Sequence, residues 1–241
     1  MRLKDNVYFY PKSFDLDFVG EVNSNTVVIT GQDDKLILID PGLESRLDDL
    51  KEAIKADGLS PQDVSLIVLT HFHPDHVEGA TKLAEDTGSD VLLSEKDIDF
   101  LEKIGHVFFT KTKDGYRDVP LRCPQKSLLK PLFSGPMKWG GREFRLYDTP
   151  GHSPGGMCFH WPERDLLVTG DVYFLGTIGL IKLPGGVPSD MYQSVRTLSG
   201  LMDVDLVLCG HGKPVVGREA VVDNYKALFE EIDEKIAKGI V

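Results

Sequence analysis

A cluster of metal-ligand side chains at 71–76 constrains this chain more than any other feature of its sequence. The cluster has the pattern H-x-H-x-D-H and follows directly on an apolar run. Imidazole nitrogens suit zinc, iron and related ions, and a carboxylate fills or bridges further coordination positions. Because side chains alternate along an extended backbone, His71 and His73 can face one point, while the turn at the next proline brings Asp75 and His76 to an adjacent point. The spacing therefore predicts a site for two metals.

Length and charge limit what such a site can serve. The chain has 241 residues, enough for one large domain at 1–241, and a formal net charge of -11 from 38 acidic and 27 basic residues. An acidic balance argues against a nucleic acid as partner. The sequence contains no signal-peptide core and no membrane-spanning apolar run, so we expect a soluble, cytoplasmic protein without membrane contact and with a small-molecule substrate. Oligomeric state is left open.

Apolar patterning predicts a layered arrangement of strands and helices. Predicted strands are 7–10, 26–30, 35–40, 66–69, 91–93, 143–148, 157–161, 165–169 and 206–209, and predicted helices are 43–57, 79–87, 96–104, 189–202 and 219–237. The run at 66–69 has no polar alternation, which is typical of a strand covered on both faces. We therefore expect sheets inside and helices outside.

One long segment departs from these patterns. Between 105 and 141, seven lysines and arginines are interleaved with aromatic residues and four prolines. We expect irregular backbone here, forming a lid or an insertion, because long loops in compact domains often carry function. A solvated surface excursion is the alternative reading of the same segment.

Three further motifs place a histidine or an aspartate directly after a predicted strand. They are G-H-S-P-G at 151–155, T-G-D at 169–171 and G-H-G at 210–212. Their glycines permit sharp turns, which would hold a ligand at a strand end. Five of the seven histidines fall in these motifs or in the first cluster, and we read the other two, His106 and His160, as surface or hydrogen-bonded residues.

The motif series, in this order and with D-P-G at 40–42 upstream, resembles the metallo-β-lactamase-fold hydrolase superfamily over nearly the whole chain. The resemblance implies an α/β fold, the four-layer αββα sandwich, in which two mixed β-sheets are flanked by helices and the site lies at one edge between them. It also implies a metal-dependent hydrolase. The function follows from the complete series of motifs, because a lone H-x-H would be a weak signal.

The resemblance assigns seven metal ligands: His71, His73 and His152 for one ion, Asp75, His76 and His211 for the other, and Asp171 as a bridge. It implies two divalent ions, zinc first, with iron or manganese accepted by the same ligands. A hydroxide shared by two ions can attack a carbonyl or phosphoryl centre at neutral pH, so Asp75 and Asp171 are predicted to be catalytic as well. Asp40 is similar to the family's buried aspartate that holds a histidine ligand through its other ring nitrogen.

Within the superfamily, the chain most resembles the glyoxalase II branch, whose members hydrolyse thioesters. Asp171 disfavours a true β-lactamase, His73 disfavours the flavin-linked diiron proteins, and the acidic composition disfavours a phosphodiesterase or nuclease. The loop L-P-G-G at 183–186 matches the branch in its frame, and the adjacent Lys182 is predicted to bind a substrate carboxylate. With 30 residues after His211, we expect one helix there and no glutathione-gripping helical domain.

Two alternatives remain for the activity. A lactonase of the acyl-homoserine type has the same ligands and a tyrosine soon after the bridging aspartate, and Tyr173 is predicted to bind substrate on this ground. A sensor that binds metal without catalysis is the other alternative, although open coordination positions are what catalysis needs. The favoured hypothesis is a dinuclear hydrolase of a thioester or ester.

Overall fold

Two β-sheets face each other across an apolar interior, and helices cover the outer side of each sheet, in the computed structural model of the chain. The structure describes residues 1–16, 20–104, 107–112, 115–120 and 123–238. His106 lies outside the described residues.

The first sheet has, among the described residues, seven strands in the order β1-β2-β3-β4-β5-β6-β9. They are β1 (Arg2–Lys4), β2 (Val7–Leu16), β3 (Gly20–Thr30), β4 (Leu36–Ile39), β5 (Val64–Val68), β6 (Asp90–Ser94) and β9 (Leu129–Leu132). Neighbours from β1 to β4 are antiparallel, whereas β4, β5, β6 and β9 run parallel. The carboxyl ends of β4 and β5 therefore share one edge of the sheet, where such folds place their sites.

The second sheet, again within the described part of the chain, has six strands in the order β10-β11-β12-β13-β16-β17. They are β10 (Gly135–Trp139), β11 (Arg142–Asp148), β12 (Met157–Trp161), β13 (Leu166–Gly170), β16 (Leu206–Cys209) and β17 (Val215–Val216). Of the strand pairs that the structure describes in this sheet, β13 and β16 run parallel and the others antiparallel. Their carboxyl ends lead to Asp171 and His211.

Helices complete the outer layers. They are α1 (Leu47–Ala56), α2 (Pro74–Val77), α3 (Ala80–Thr87), α4 (Glu95–Lys103), α5 (Pro188–Ser199) and α6 (Arg218–Ala237). Buried side chains such as Leu50 of α1 and Leu101 of α4 pack on the first sheet, and Val195 of α5 and Leu228 of α6 pack on the second. The predicted αββα sandwich is therefore confirmed. No helix among the residues described has both the length and the apolar character to cross a membrane.

The segment 105–141 differs from the irregular backbone that we expected. Its described residues include an antiparallel hairpin of β7 (Val107–Thr112) and β8 (Gly115–Pro120), followed by β9 and β10. The prolines misled the prediction because β9 and β10 are edge strands, where a residue without a backbone N–H is tolerated. A further small hairpin joins β14 (Tyr173–Phe174) to β15 (Thr177–Ile178), close after the β13 end.

Candidate metal centre

The seven predicted ligands lie at one edge of the two sheets, in loops that follow strands and, for Asp75 and His76, in the short helix α2. Backbone hydrogen bonds close this edge, because Met157 N donates to Thr70 O at 2.8 Å and Asn25 N donates to Gly210 O at 2.8 Å. Each bond joins a strand or loop of one sheet to a ligand-bearing loop that follows the other. Backbone hydrogen bonds alone therefore connect the ends of strands from the two sheets at this edge.

Three histidine side chains, which we call the first trio, converge on one point. Nε2 of His71 lies 3.1 Å from Nδ1 of His73, and Nε2 of His152 lies 2.7 Å from the same Nδ1 atom. All three residues are buried, with 2 to 4% of their surface exposed. Such a meeting of ring nitrogens is the arrangement expected around a shared cation.

The second trio consists of Asp75, His76 and His211. Oδ2 of Asp75 lies 3.2 Å from Nε2 of His211 and 3.5 Å from Nε2 of His76. The two Nε2 atoms are 3.4 Å apart. This trio forms a second convergence point beside the first.

Asp171 lies between the two trios. Its Oδ2 atom is 3.4 Å from Nε2 of His152 in the first trio and 3.2 Å from Nε2 of His211 in the second. Its Oδ1 atom is 3.4 Å from Nε2 of His76, and no hydrogen-bond donor serves this buried oxygen within the described residues. The carboxylate thus reaches both trios.

Outer contacts orient the imidazole rings. Nδ1 of His76 donates to Oδ2 of Asp40 at 2.9 Å, and Nδ1 of His71 donates to Oγ1 of Thr70 at 3.0 Å. The Thr70 hydroxyl donates in turn to Oδ2 of Asp40 at 2.7 Å, and Thr70 N donates to Oδ1 at 2.8 Å. Nδ1 of His152 donates to the carbonyl of Leu180 at 2.7 Å. In each case Nε2 is left to face the site, as in histidines that bind metals.

The two trios differ in charge. Burial, reinforced by neighbouring imidazoles, lowers the pKa of His71 and of His73 well below the ordinary value, so these rings are neutral. Burial alone would raise the pKa of Asp171, but His211 and His76 hold it below its usual range. For His211, burial lowers the pKa, yet Asp171 and Asp75 raise it to about 10. His71 and His73 are thus in the neutral state that metal binding requires, whereas the carboxylates Asp75 and Asp171 favour protonated His76 and His211, whose protons a bound metal ion would displace.

The donor set fits transition-metal ions. A tetrahedral ion with nitrogen or oxygen ligands at about 2.0–2.1 Å holds those ligand atoms about 3.3 Å apart. The distances given above between these ligand atoms run from 2.7 to 3.5 Å. Three overlapping groups of donor atoms, each within 4.8 Å, together contain all seven predicted ligands. His71, His73 and His152 would hold one ion, the second trio would hold another, and Asp171 would contact both.

A close approach at Gly210 explains one glycine of the motifs. A Cβ atom there would lie 2.1 Å from Oδ1 of Asp171 and 2.8 Å from Cε1 of His76. Any side chain would therefore displace two predicted ligands. From the sequence we expected this glycine to permit a sharp turn of the backbone. The structure shows instead that glycine is required because no room exists for a side chain.

The structure does not bring Tyr173 to the trios. Tyr173 is fully buried in the core under α5 and α6, and its hydroxyl shares a 2.8 Å hydrogen bond with the hydroxyl of Tyr225. Lys182 is exposed, two residues after Leu180. His160 corrects our reading of a surface or hydrogen-bonded histidine: it is 3% exposed, no hydrogen bond to its ring nitrogens occurs within the described chain, and Nε2 lies 3.4 Å from Oδ2 of Asp203.

Sequence reasoning missed two groups that orient ligands. The Thr70 side chain lies inside the first cluster, and its position between a buried strand and His71 was a usable signal. The Leu180 carbonyl gives no signal, because any residue carries one.

A family model described as the metallo-beta-lactamase superfamily matches residues 19–211. The chain belongs to the metallo-beta-lactamase superfamily. It is 30% identical over 196 residues to the protein named "Probable metallo-hydrolase YqgX" of Bacillus subtilis (strain 168), covering 80% of this chain and 87% of that protein. It is 32% identical over 145 residues to a hydroxyacylglutathione hydrolase of Bartonella henselae, covering 60% of this chain and 47% of that enzyme.

Among solved structures, TTHA1623 in a di-iron-bound form is similar with a TM-score of 0.66 and 26% identity, covering 89% of this chain and 96% of that one. The predicted superfamily is confirmed, and with it the prediction of a metal-dependent hydrolase.

Proposed function

We propose that this member of the metallo-beta-lactamase superfamily is a dinuclear hydrolase that cleaves a thioester or ester. The observation that carries the proposal is the position of Asp171, whose Oδ2 atom lies 3.4 Å from His152 and 3.2 Å from His211, one histidine from each trio. A carboxylate so placed can serve two ions at once, which distinguishes a dinuclear site from two separate ones.

The chain's own residues divide the work. When bound, two divalent ions supply Lewis acidity toward the substrate carbonyl and lower the pKa of water enough for attack at neutral pH. Asp171 would hold the two positions together, and Asp40 keeps His76 in the tautomer whose Nε2 faces the site. Cys209 is no nucleophile, because burial raises the pKa of its thiol to about 12.

Exposure indicates the side from which substrate enters. The side chains of Asp75 and His211 are 22% and 20% exposed, whereas those of His152 and Asp171 are 5% and 8% exposed. Substrate would therefore approach the second trio, and Asp75 is the carboxylate that it meets first. This supports the proposed catalytic role of Asp75 beside that of Asp171.

A thioester is the substrate class that we favour. The similarity to a hydroxyacylglutathione hydrolase supports it, although the alignment spans 47% of that enzyme. The lactonase alternative depended on Tyr173, whose hydroxyl bonds to Tyr225 in the core. Zinc is the ion that we expect first, with iron or manganese as alternatives, because imidazole and carboxylate ligands accept all three.

A side-by-side substrate panel tests this proposal. Zinc-loaded protein is assayed on an S-acyl glutathione thioester, an acyl-homoserine lactone, a phosphodiester and a cephalosporin. We expect the thioester to be hydrolysed fastest, the Asp171→Ala variant to lose that activity, and Asp223→Ala, a change on the exposed face of α6, to keep it. Faster hydrolysis of another substrate would refute the thioester assignment. No hydrolysis of any of the four substrates by protein with metal bound would favour a sensor that binds metal without catalysis.

Three predictions remain predictions: a lid or an insertion at 105–141, the contact of Lys182 with a substrate carboxylate, and a cytoplasmic location. Whether the chain forms an oligomer stays open. Lys182 is exposed two residues after Leu180, whose carbonyl orients His152, and this closeness in the chain supports the proposed contact. A nucleic-acid partner is disfavoured by the net charge of -11 alone.

A further inference from the structure

Asp97 is a buried acid outside the seven ligands. It lies in the first turn of α4, and none of its surface is exposed. Its neighbour Ile98 and the residue one turn on, Leu101, pack in the apolar layer between this helix and the first sheet. A carboxyl group therefore lies on the apolar face of the helix, where a hydrophobic side chain would be expected.

Both oxygens of Asp97 accept hydrogen bonds from the ligand-bearing loops. Oδ2 accepts from Phe72 N at 3.1 Å and from Ser153 Oγ at 3.0 Å, and Oδ1 accepts from Gly155 N at 2.6 Å. Phe72 lies between His71 and His73, and Ser153 follows His152. One carboxylate thus joins the two loops that carry the whole first trio.

The packing at this junction is tight. A Cβ atom on Gly155 would lie 2.6 Å from Asp97 N, 2.6 Å from Ser94 Oγ and 2.9 Å from Cγ of Asp97. The first of these atoms is a backbone nitrogen of α4, which cannot move without moving the helix. The loop that carries His152 is therefore pressed against the start of the helix, and a small displacement there would be passed on to the ring of His152.

Separate contacts support the second trio. The side-chain amide of Asn25 donates to the carbonyls of Cys209 at 2.9 Å and Gly212 at 3.0 Å, on both sides of His211. Asp40 holds His76 directly. The first trio alone is joined by Asp97, so the two metal positions have different supports in the fold.

Burying this carboxyl group costs free energy. Burial raises the pKa of Asp97 to about 7, although its hydrogen bonds to Gly155, Ser153 and Phe72 lower it. Where only packing is needed, hydrophobic residues often stabilise a fold better than buried charged groups. The carboxylate is explained if its hydrogen bonds hold a geometry that packing alone would leave loose.

We propose that Asp97 is a positioning residue that fixes the separation of the His71–His73 loop from the His152 loop and thereby sets the metal affinity of the first trio. This inference rests on the proposed function, since it requires that the trios bind metal. The hydrogen bonds of Asp97 go to Phe72, Ser153 and Gly155, none of which is a predicted ligand. Its effect is confined to one of the two positions, which is the property that a test can isolate.

The test compares zinc occupancy at the two positions in wild type, Asp97→Asn and Asn25→Ala. Total binding is measured by equilibrium dialysis at graded free Zn²⁺, and its distribution by anomalous scattering from crystals equilibrated at the same concentrations. Changes to residues that orient metal-binding histidines typically weaken metal binding 10- to 100-fold. We expect a loss of about that size at the first trio in Asp97→Asn, with the second within about 3-fold of wild type, and the reverse selectivity in Asn25→Ala.

A merely structural role would weaken both positions together, because loss of global stability does not distinguish them. Equal losses at both trios, or no loss at the first, would overturn the inference. If Asp97→Asn does not fold, Ser153→Ala removes one of the three hydrogen bonds, and we expect a selective loss of about 3-fold or more at the first trio. Failure of wild type to bind zinc at all would instead refute the proposed function.

Discussion

Substitution of Asp40 by asparagine should weaken metal binding at both trios. The carboxylate of Asp40 accepts three hydrogen bonds, from Thr70 N, from the Thr70 hydroxyl and from Nδ1 of His76. Asparagine keeps the shape but has one acceptor oxygen, so whichever way the amide turns, at least one donor faces the amide NH₂ group. If the NH₂ group takes the place of Oδ2, His76 loses its acceptor directly and His71 is affected through the Thr70 hydroxyl. If it takes the place of Oδ1, the backbone N–H of Thr70, next to His71, loses its acceptor.

The size of the effect follows from these contacts. Removing such an outer partner of a metal-binding histidine typically lowers metal affinity 10- to 100-fold. That range corresponds to about 1.4 to 2.8 kcal/mol, since each tenfold change in affinity is about 1.4 kcal/mol. A hydrogen bond to a charged group contributes about 1.5 to 3 kcal/mol, which agrees with the loss of one bond to the carboxylate.

Competition of the protein with a chromophoric chelator for Zn²⁺ measures this affinity. The matched control is Asp34→Asn, because Asp34 has a φ of 60° against 55° at Asp40 but is exposed on a turn. Both variants keep a residue type that tolerates the left-handed backbone, so backbone strain is the same in each. Wild-type affinity in Asp40→Asn would refute the orienting role, and an equal loss in Asp34→Asn would assign the effect to the backbone.

Two further predictions concern stability. Burial lowers the pKa of His160; Asp203 opposes this shift, and Arg145 adds a smaller lowering. The folded-state pKa therefore lies below the unfolded value of about 6.5. The contribution of neutral His160 to stability is fully present above that value and is lost as pH falls. The free energy of unfolding of metal-free protein, from urea titrations, should therefore fall less between pH 7 and pH 5 in His160→Gln than in wild type, and equal slopes would contradict this. Leu208 is fully buried between the sheets, so Leu208→Ala should lower the free energy of unfolding by about 2 to 5 kcal/mol. A decrease of less than about 1 kcal/mol would contradict its core position.

Much of the fold followed from local patterning. The predicted strands at 157–161 and 206–209 agree with β12 and β16 at both ends, because runs of buried apolar residues bounded by polar turns identify central strands. Edge strands were harder. Pro131 lies in β9 at one edge of the first sheet and Pro136 in β10 at one edge of the second, where proline does not interrupt pairing.

In the candidate site, too, some residues could be predicted from local sequence patterns and others could not. Histidines and aspartates after apolar strands indicated candidate ligands, and the resemblance to the superfamily assigned the seven, whose donor atoms the structure brings together at one edge of the sheets. Asp97 could not be predicted, because its partners lie 25 to 58 residues away in the chain and no local pattern links them. Tyr173 was predicted to bind substrate because it lies close to Asp171 in the sequence. That closeness does not determine which side of the strand its ring faces, and its hydroxyl bonds to Tyr225 in the core.

The central claim is that Asp171 joins two metal positions in one centre. Metal analysis of protein purified without chelator, repeated after reconstitution with Zn²⁺, tests it most directly when wild type is compared with Asp171→Ala. We predict about two transition-metal ions per chain in wild type, as in two-metal hydrolytic sites, and loss from both positions together in the variant. Less than one ion per chain after reconstitution, or full retention of metal in Asp171→Ala, would contradict the account.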